Sequence, residues 1–158
     1  MLIQADPLTR LVDAVASTNR FDDLAERIAD MYDVTPERAL HLLARIDTAE
    51  RWKPGIIPGT KMIPFRPGEK YSDHISGFIR VPPGSVFPWH EHVGEELTLV
   101  LQGRCRDTDG TILRRGEHGH YAPGTAHDFT TPADGPDFVF AARLGAGALR
   151  LVDRPEDD

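Results

Sequence analysis

The chain has 158 residues, 40% hydrophobic and 27% charged, so extensive disorder is excluded and one ordinary domain with a modest extension is expected. Its formal net charge of -7 at pH 7 argues against nucleic-acid binding, because phosphates would repel it. No apolar run approaches the roughly 18 residues of a membrane span. The single cysteine, Cys105, excludes an internal disulfide and a multi-cysteine zinc site.

The N-terminal residues have no basic start followed by an apolar stretch and a small-residue cleavage site. Such a pattern would mark a secreted protein. We therefore expect a cytoplasmic protein.

Residues 1–50 are predicted to form an N-terminal helical region of three short amphipathic helices. Asp6 and Pro7 mark the start of the first, and Thr35 and Pro36 mark the start of the third. Helices this short are marginal alone in water, so their apolar sides must cover another surface. His41, on the third helix, is expected at the surface. The apolar positions with helical spacing are Leu8, Leu11, Val12 and Val15, then Phe21, Leu24, Ala25, Ile28 and Met31, then Leu40, Leu43 and Ile46.

The character of the chain changes at residue 51, where proline and glycine begin to recur every few residues. We predict a linker over residues 51–60, a β-domain over residues 61–152 and an acidic tail over residues 153–158. Short runs rich in Val, Ile, Phe and Thr, separated by turn residues, are typical of a β-sandwich or barrel. The sequence DTDG at residues 107–110 predicts a hairpin. Trp52 is expected to pin the linker to the barrel, and His74 to lie at a strand start.

The segment 96–102, ELTLVLQ, is predicted to be a strand with two largely apolar faces. Alternation places Glu96, Thr98 and Val100 on one face and three leucines on the other. In one arrangement Glu96 points into a barrel, and the leucines are covered by the helices, a second sheet or another subunit. In the alternative the faces are reversed, and Glu96 lies in solvent.

His90 and His92 precede this strand and point the same way on an extended segment, close enough to share one metal ion. The alternative is a polar surface turn before a core strand. Glu95 competes with Glu96 as a ligand, but strand parity favours Glu96. A second pair, His118 and His120, is interpreted as solvated strand residues, with lining of the cavity as the alternative. Trp89 is expected in the core, with a platform for substrate as the alternative, and Cys105 is expected to be a small buried apolar residue.

The larger pattern, G-x5-H-x-H-x3-E-x6-G, resembles the first motif of the cupin family. A second motif follows, with alanine in place of one usual proline and Thr131 in place of the final asparagine. The resemblance implies a mainly β protein, a double-stranded β-helix or jelly-roll barrel, with a short α-helical extension at its N-terminus. It also implies one divalent metal held by His90, His92, Glu96 and His127. The motif positions are Gly84, His90, His92, Glu96 and Gly103 in the first, and Gly116, Ala122, Pro123, Gly124 and His127 in the second.

Three imidazoles with one carboxylate suit several divalent transition metals. We favour zinc, with iron, manganese, nickel and copper as alternatives. Elemental analysis of protein purified without added metal would discriminate between them.

Residues 42–145 are also similar to the C-terminal cupin of ChrR-type anti-sigma factors, through "LLARIDTAERWKPGIIPG", "GEELTLVLQG" and the following D-x-D-G turn. The resemblance implies a regulatory or sensor protein whose N-terminal helices bind a sigma factor. In that family the helices carry a second zinc site with a His-x3-Cys-x2-Cys motif, but residues 1–50 here contain no cysteine. Binding of a sigma factor or another protein through the helices is therefore a hypothesis.

Two other functions are open, because one fold hosts many activities. The first is a metal-dependent small-molecule enzyme, such as an iron dioxygenase or an isomerase. Its candidate acid-base groups are Glu95, His118 and Tyr121, and no catalytic residue is assigned. The second is a storage or structural module. Without a clear acid-base pair, the sequence favours a non-enzymatic role, with a small-molecule ligand in the barrel as an option. A homodimer is expected, because the leucine face of the strand at 96–102 needs cover.

Overall fold

A computed structural model describes residues 19–156, which begin with two short helices. Thr35 caps the second: its side chain accepts a hydrogen bond from the backbone N–H of Arg38, and Pro36 fills the first turn. Two of the three predicted helices are confirmed, and the one predicted around Leu8–Val15 lies outside the described residues. The helices are α1 (Ala25–Tyr32) and α2 (Pro36–Ala44), with 3-10 turns at Asp22–Leu24, Arg45–Asp47, Ala49–Arg51 and Glu69–Tyr71.

Within residues 19–156, eleven strands form two antiparallel sheets, as expected for a mainly β jelly roll. The larger sheet has the order β1-β2-β3-β10-β5-β8, and the smaller has the order β11-β4-β9-β6-β7. The strands are β1 (Lys53–Pro54), β2 (Lys61–Pro64), β3 (Ile75–Val81), β4 (Val86–His92), β5 (Glu96–Gln102), β6 (Arg104–Asp107), β7 (Ile112–Arg114), β8 (His118–Tyr121), β9 (Ala126–Thr130), β10 (Phe138–Leu144) and β11 (Leu149–Leu151).

The helices cover the outer face of the larger sheet. Leu99 and Leu101 of β5 are buried in the same apolar cluster as the helical residues, and Leu97 packs against it. Of the two predicted arrangements, the one with the leucines under the helices is confirmed. One helical position was assigned wrongly: Leu40 is exposed, and Leu42 is buried in its place because α2 turns that side towards the sheet.

The predicted hairpin is confirmed as the pair β6 and β7. Asp107 and Thr111 close it through a backbone hydrogen bond, and Gly110 adopts a φ of 87°. Before it, Gly103, with a φ of 74°, lies between β5 in one sheet and β6 in the other. The chain therefore changes sheets within a run that looks continuous in the sequence.

Trp52 anchors the segment between the helices and the barrel, as predicted. Its indole N–H donates to the carbonyl of Ile46, at 2.9 Å. The guanidinium of Arg80, on β3, lies 5.1 Å from the centre of its ring. His74 directly precedes β3, as expected. Within residues 19–156, the structure contains no helix long and apolar enough to span a bilayer.

Candidate metal centre

The pairing of β4 with β9 brings three histidines together. His90 lies directly opposite His127 in the sheet, and His92 follows on the same side of β4. All three are buried, with exposed fractions of 8% or less. One nitrogen from each ring lies within 4.8 Å of the others, so the three-histidine group could hold a metal ion.

Each ring is oriented by a hydrogen bond at Nδ1. His90 Nδ1 lies 2.8 Å from the carbonyl of Pro88, and His127 Nδ1 lies 2.9 Å from a carboxylate oxygen of Asp107. His92 Nδ1 lies 3.1 Å from the Thr125 hydroxyl oxygen, which itself donates to Ala122. Because these partners are acceptors, we assign the proton of each ring to Nδ1. Each Nε2 is then a free acceptor, the state needed for metal ligation.

Glu96 adds a buried carboxylate to this group. Its Oε2 lies 2.8 Å from His92 Nε2, but without the alignment of a hydrogen bond, and neither atom has another partner among residues 19–156. Two buried acceptors that face each other without a proton between them are costly unless a cation lies near both. The donor set therefore fits a divalent metal. Glu95, by contrast, is half exposed and lies 3.4 Å from His120.

The surroundings of His90 favour its neutral form. Burial lowers its pKa, and the neighbouring rings of His127 and His92 lower it further, against the opposing effects of the Pro88 carbonyl and Glu96. A neutral imidazole is the form that binds a metal.

Asp107 is a site residue that the sequence analysis missed. It ends β6, contacts His127 and accepts a hydrogen bond from the hydroxyl of Tyr121, at 3.1 Å. Burial alone would raise the pKa of Asp107, but the hydrogen bonds that its carboxylate accepts, first of all from His127, outweigh burial and lower it. The only sequence signal was its place at the start of the DTDG turn, where aspartate is common for conformational reasons alone.

Tyr121 stacks on His92, with ring centres 4.9 Å apart. Burial raises its pKa well above the usual range, and the nearby carboxylate of Asp107 raises it further. Of the three candidate acid-base groups, Tyr121 lies at the histidines. Glu95 and His118 are exposed on the other side of the sheet from them.

The barrel interior next to the histidines is narrow and apolar. Phenylalanine side chains form part of its lining, and the cavity has a volume of about 50 Å³, enough for a few water molecules. Cys105 lines this cavity, and burial raises its pKa to about 12, with a further contribution from Asp107. It is therefore an unreactive thiol, as expected. The phenylalanines are Phe87, Phe129, Phe138 and Phe140.

A wider groove reaches the same histidines from outside the barrel. It has a volume of about 360 Å³ and is lined by His92, His127, Asp107 and Tyr121, among others. Of the three histidines, this groove therefore borders His92 and His127 but not His90.

The structure also shows whether the other histidines singled out in the sequence are exposed to solvent. His118 and His120 are exposed on β8, so the solvated interpretation is confirmed, and His41 lies at the surface. Trp89 was predicted wrongly as a core residue: it is half-buried, belongs to neither buried apolar cluster and lies under the guanidinium of Arg154. Of the four side chains predicted as ligands, those of His90, His92 and His127 form one group and that of Glu96 contacts His92. Their ligation of a metal stays a prediction.

The two facing sheets and the buried three-histidine group define a cupin barrel with a site that could hold a metal ion. Residues 42–144 match the model of the ChrR Cupin-like domain family. The chain therefore belongs to the ChrR cupin-like family. A comparison with curated proteins found no match.

Solved structures share the fold. One is the crystal structure of Rhodobacter sphaeroides SigE in complex with the anti-sigma ChrR. The matching chain of that complex is 28% identical to this one, with a TM-score of 0.51 over 60% of this chain and 48% of that chain. An RmlC-like cupin protein from Ralstonia eutropha JMP134 is 19% identical, with a TM-score of 0.53 over 60% of this chain and 62% of that chain. In both cases this chain spans less than two thirds of the other's length.

The acetylacetone dioxygenase of Acinetobacter johnsonii is 16% identical, with a TM-score of 0.55 over 66% of this chain and 74% of that chain. At such low identity the similarity establishes a common fold and carries no activity to this chain.

Proposed function

We propose that this protein is a divalent-metal-binding regulator of the ChrR type, in which His90, His92, Glu96 and His127 bind one ion. The observation that carries the proposal is the pair of buried acceptors, His92 Nε2 and Glu96 Oε2, which face each other without a hydrogen bond. We propose zinc as the ion, with iron, manganese or nickel as alternatives. Three imidazole nitrogens and one carboxylate oxygen are four ligands of the types that zinc accepts in proteins.

The bound ion would supply a cross-link between the two sheets. Glu96 belongs to the larger sheet, whereas the three histidines belong to β4 and β9 of the smaller one. Losing a ligand would therefore loosen the contact between the sheets at this end of the barrel.

The strand β5 connects the site to the helices. Glu96 and Thr98 face the site, while Leu97 and Leu99 on the same strand pack against the helical cluster. A displacement of Glu96 would therefore be transmitted to the surface on which the helices rest. This direct connection supports a sensor role, in which the state of the site changes how the helices dock.

The proposed partner is a sigma factor bound through the N-terminal helices. Support comes from the family and from the similarity to the ChrR chain crystallised with SigE. The helices lack the cysteines of the family's second zinc site, and packing on the barrel holds α1 and α2 in place. We further propose that the protein is cytoplasmic and forms a homodimer.

Metal content is the first test. Protein purified without added metal should contain about one equivalent of zinc, whereas His127→Ala and Glu96→Gln should lose most of it. His41→Ala and His118→Ala, at exposed histidines, serve as matched controls. Equal metal content in all variants, or none in the unaltered protein, would refute the metal centre.

Partner binding is tested separately by affinity capture from the host lysate with protein identification by mass spectrometry. We expect a sigma factor in the captured fraction, with a different yield after the metal is stripped. Its absence in both states would exclude the anti-sigma role while leaving the metal centre intact.

A metal-dependent enzyme is the second candidate, and the outer groove at His92 and His127 favours it, since a substrate could reach the site there. A bound ion would supply Lewis-acid chemistry or a site for dioxygen. Tyr121 lines that groove, and its hydroxyl oxygen, whose proton is donated to Asp107, would accept a hydrogen bond from a substrate. Oxygen uptake with Fe(II) and a panel of β-diketones tests this idea. Turnover no faster than with free metal would exclude it for these substrates.

A further inference from the structure

Arg143 is a buried cation that the proposed metal centre does not use. It is the one charged residue of β10, all seven residues of which are buried, and only 8% of its surface is exposed. Buried charges in proteins are normally paired, because removing a charged group from water without compensation is expensive. The environment of Arg143 therefore requires an explanation.

The neighbours of Arg143 compensate its charge only in part. One terminal nitrogen donates to the carbonyl of Met31, and the guanidinium carbon lies 3.7 Å from the centre of the Tyr71 ring. The nearest carboxylate, that of Glu95, lies 4.0 Å from the other terminal nitrogen and is 49% exposed. The Nε atom is buried without a hydrogen-bond partner among residues 19–156. A guanidinium has five N–H groups, so most of its donor capacity is unused within that range.

Arg143 lines a groove of about 390 Å³ between α1 and the outer face of the larger sheet. Arg27 of α1 and His118 of β8 also line it, and Asp30 is its one carboxylate. The lining thus carries two guanidinium groups and one carboxylate, and the half-exposed carboxylate of Glu95 lies nearby, 4.0 Å from Arg143. The rest of the lining is largely apolar, with Leu97, Leu99, Met31 and Tyr71. A groove of this size and composition suits a small organic molecule.

We propose that this groove binds a small organic carboxylate, whose carboxylate pairs with Arg143 and Arg27 and whose apolar part packs on Leu97 and Tyr71. Arginine suits this role because its planar fork of donors matches a carboxylate. The groove lies outside the barrel and is separate from the candidate metal centre, although Thr98 lines both this groove and the inner cavity. Its occupant would contact α1 and β5 at once and so strengthen the docking of the helices.

Benzoate is a suitable probe, with benzamide as its uncharged counterpart. The two described methionines provide an internal comparison: Met31 lines the groove, whereas Met62 lies on β2, away from it. In NMR spectra of methyl-labelled protein at constant ionic strength, benzoate should shift the Met31 signal in a saturable manner. The Met62 signal should stay in place, and benzamide should have at least tenfold weaker effects.

Substitutions of single arginines identify the residues that bind benzoate. Arg143→Gln and Arg27→Gln should each weaken benzoate binding about tenfold or more, because each removes a charge-assisted hydrogen bond. Arg104→Gln, an exposed arginine paired with Asp134, removes the same charge elsewhere and should leave binding unchanged.

Should Arg143→Gln not fold, the exposed Arg27→Gln decides the outcome. The proposal is overturned by a lack of saturable shifts, by equal binding of benzamide, or by unchanged affinity in Arg27→Gln.

Discussion

Asp107 illustrates how a residue that is not itself a proposed metal ligand can determine the geometry of a site. Its carboxylate receives the Nδ1–H of His127, 2.9 Å away, and the hydroxyl of Tyr121, so it sets the direction of the His127 ring. Such partners of metal-binding histidines also raise the basicity of the ring. We interpret Asp107 as a positioning residue for the proposed metal centre.

Replacing Asp107 with alanine should weaken metal binding about 10- to 100-fold, because His127 loses both its orienting hydrogen bond and a nearby negative charge. Titration against a competing chelator measures this affinity. Asp134→Ala, at a side chain that is 85% exposed, is the matched control and should bind metal as the unaltered protein does. Undiminished affinity in Asp107→Ala would show that the contact is not needed.

At the scale of elements, the docking of α1 on the larger sheet depends on a buried tyrosine. The hydroxyl of Tyr32 lies 2.9 Å from the carbonyl of Ala142 and 3.2 Å from that of Gly77, and its side chain is fully buried. Its ring also packs edge-on against Phe65. The end of α1 is thus held by both a hydrogen bond and apolar contact.

Tyr32→Phe should lower the free energy of unfolding by about 1–2 kcal/mol, because a buried carbonyl loses its donor while the ring stays in place. Urea denaturation measures the change. Tyr71→Phe is the control, since the Tyr71 hydroxyl has no hydrogen-bond partner within residues 19–156, and it should cost less than about 0.5 kcal/mol. Equal effects of the two substitutions would contradict the role of the Tyr32 hydroxyl.

Two ion pairs at the surface also hold the helical segment, and they make its docking sensitive to acid. Arg115 pairs with Asp23 at 2.8 Å, and Arg20 pairs with Asp47 at 2.9 Å. The hydrogen bonds from these arginines lower the pKa of both carboxyls. Their stabilisation is thus complete above the unfolded-state pKa of about 3.9 and is lost as the pH falls through the lower folded-state values.

The double variant Asp23→Asn with Asp47→Asn should be less stable than the unaltered protein at pH 7, by about 1 kcal/mol or less because both pairs are exposed. The difference should shrink as the pH falls from 5 towards 2. Denaturant titrations at several pH values test this. A difference that grows in acid would contradict the sign of these pKa shifts.

At the scale of the whole molecule, the barrel has one narrow apolar interior and one polar end where the two sheets meet at the candidate centre. The helices cover the leucines of β5, so the need for cover that suggested a homodimer is met within the chain. Dimerisation stays a prediction, and light scattering after gel filtration tests it.

Removing the metal should lower the stability of the entire barrel, because the proposed ligands come from both sheets. With free zinc at 100 times its dissociation constant, the stabilisation is about 2.7 kcal/mol, or roughly 5–10 °C in melting temperature for a chain of this size. Calorimetry before and after chelation measures it, and adding zinc should restore it. His90→Ala with His127→Ala should not respond to zinc, and identical melting curves of stripped and loaded protein would refute the cross-link.

The sequence was most informative where regular alternation and motif spacing coincide. The alternation in ELTLVLQ predicted the two faces of β5, and the turn chemistry of DTDG predicted the hairpin between β6 and β7. It was less informative on α2, where Leu40 fits the helical spacing nearly as well as Leu42 does. The position of the sheet relative to α2 determines which of these two leucines is buried.

The sequence alone therefore determined a mainly β domain of the sandwich or barrel class and the helical segments near residues 21–46, because local periodicity depends on the backbone alone. The jelly-roll topology and the full set of candidate metal ligands followed from the resemblance to the cupin family. Tertiary structure decided which groups surround those residues. Asp107 reaches His127 across 20 positions, and Arg143 of β10 lines a groove with Arg27 of α1. Such contacts depend on how sheets and helices pack, and no local pattern encodes that.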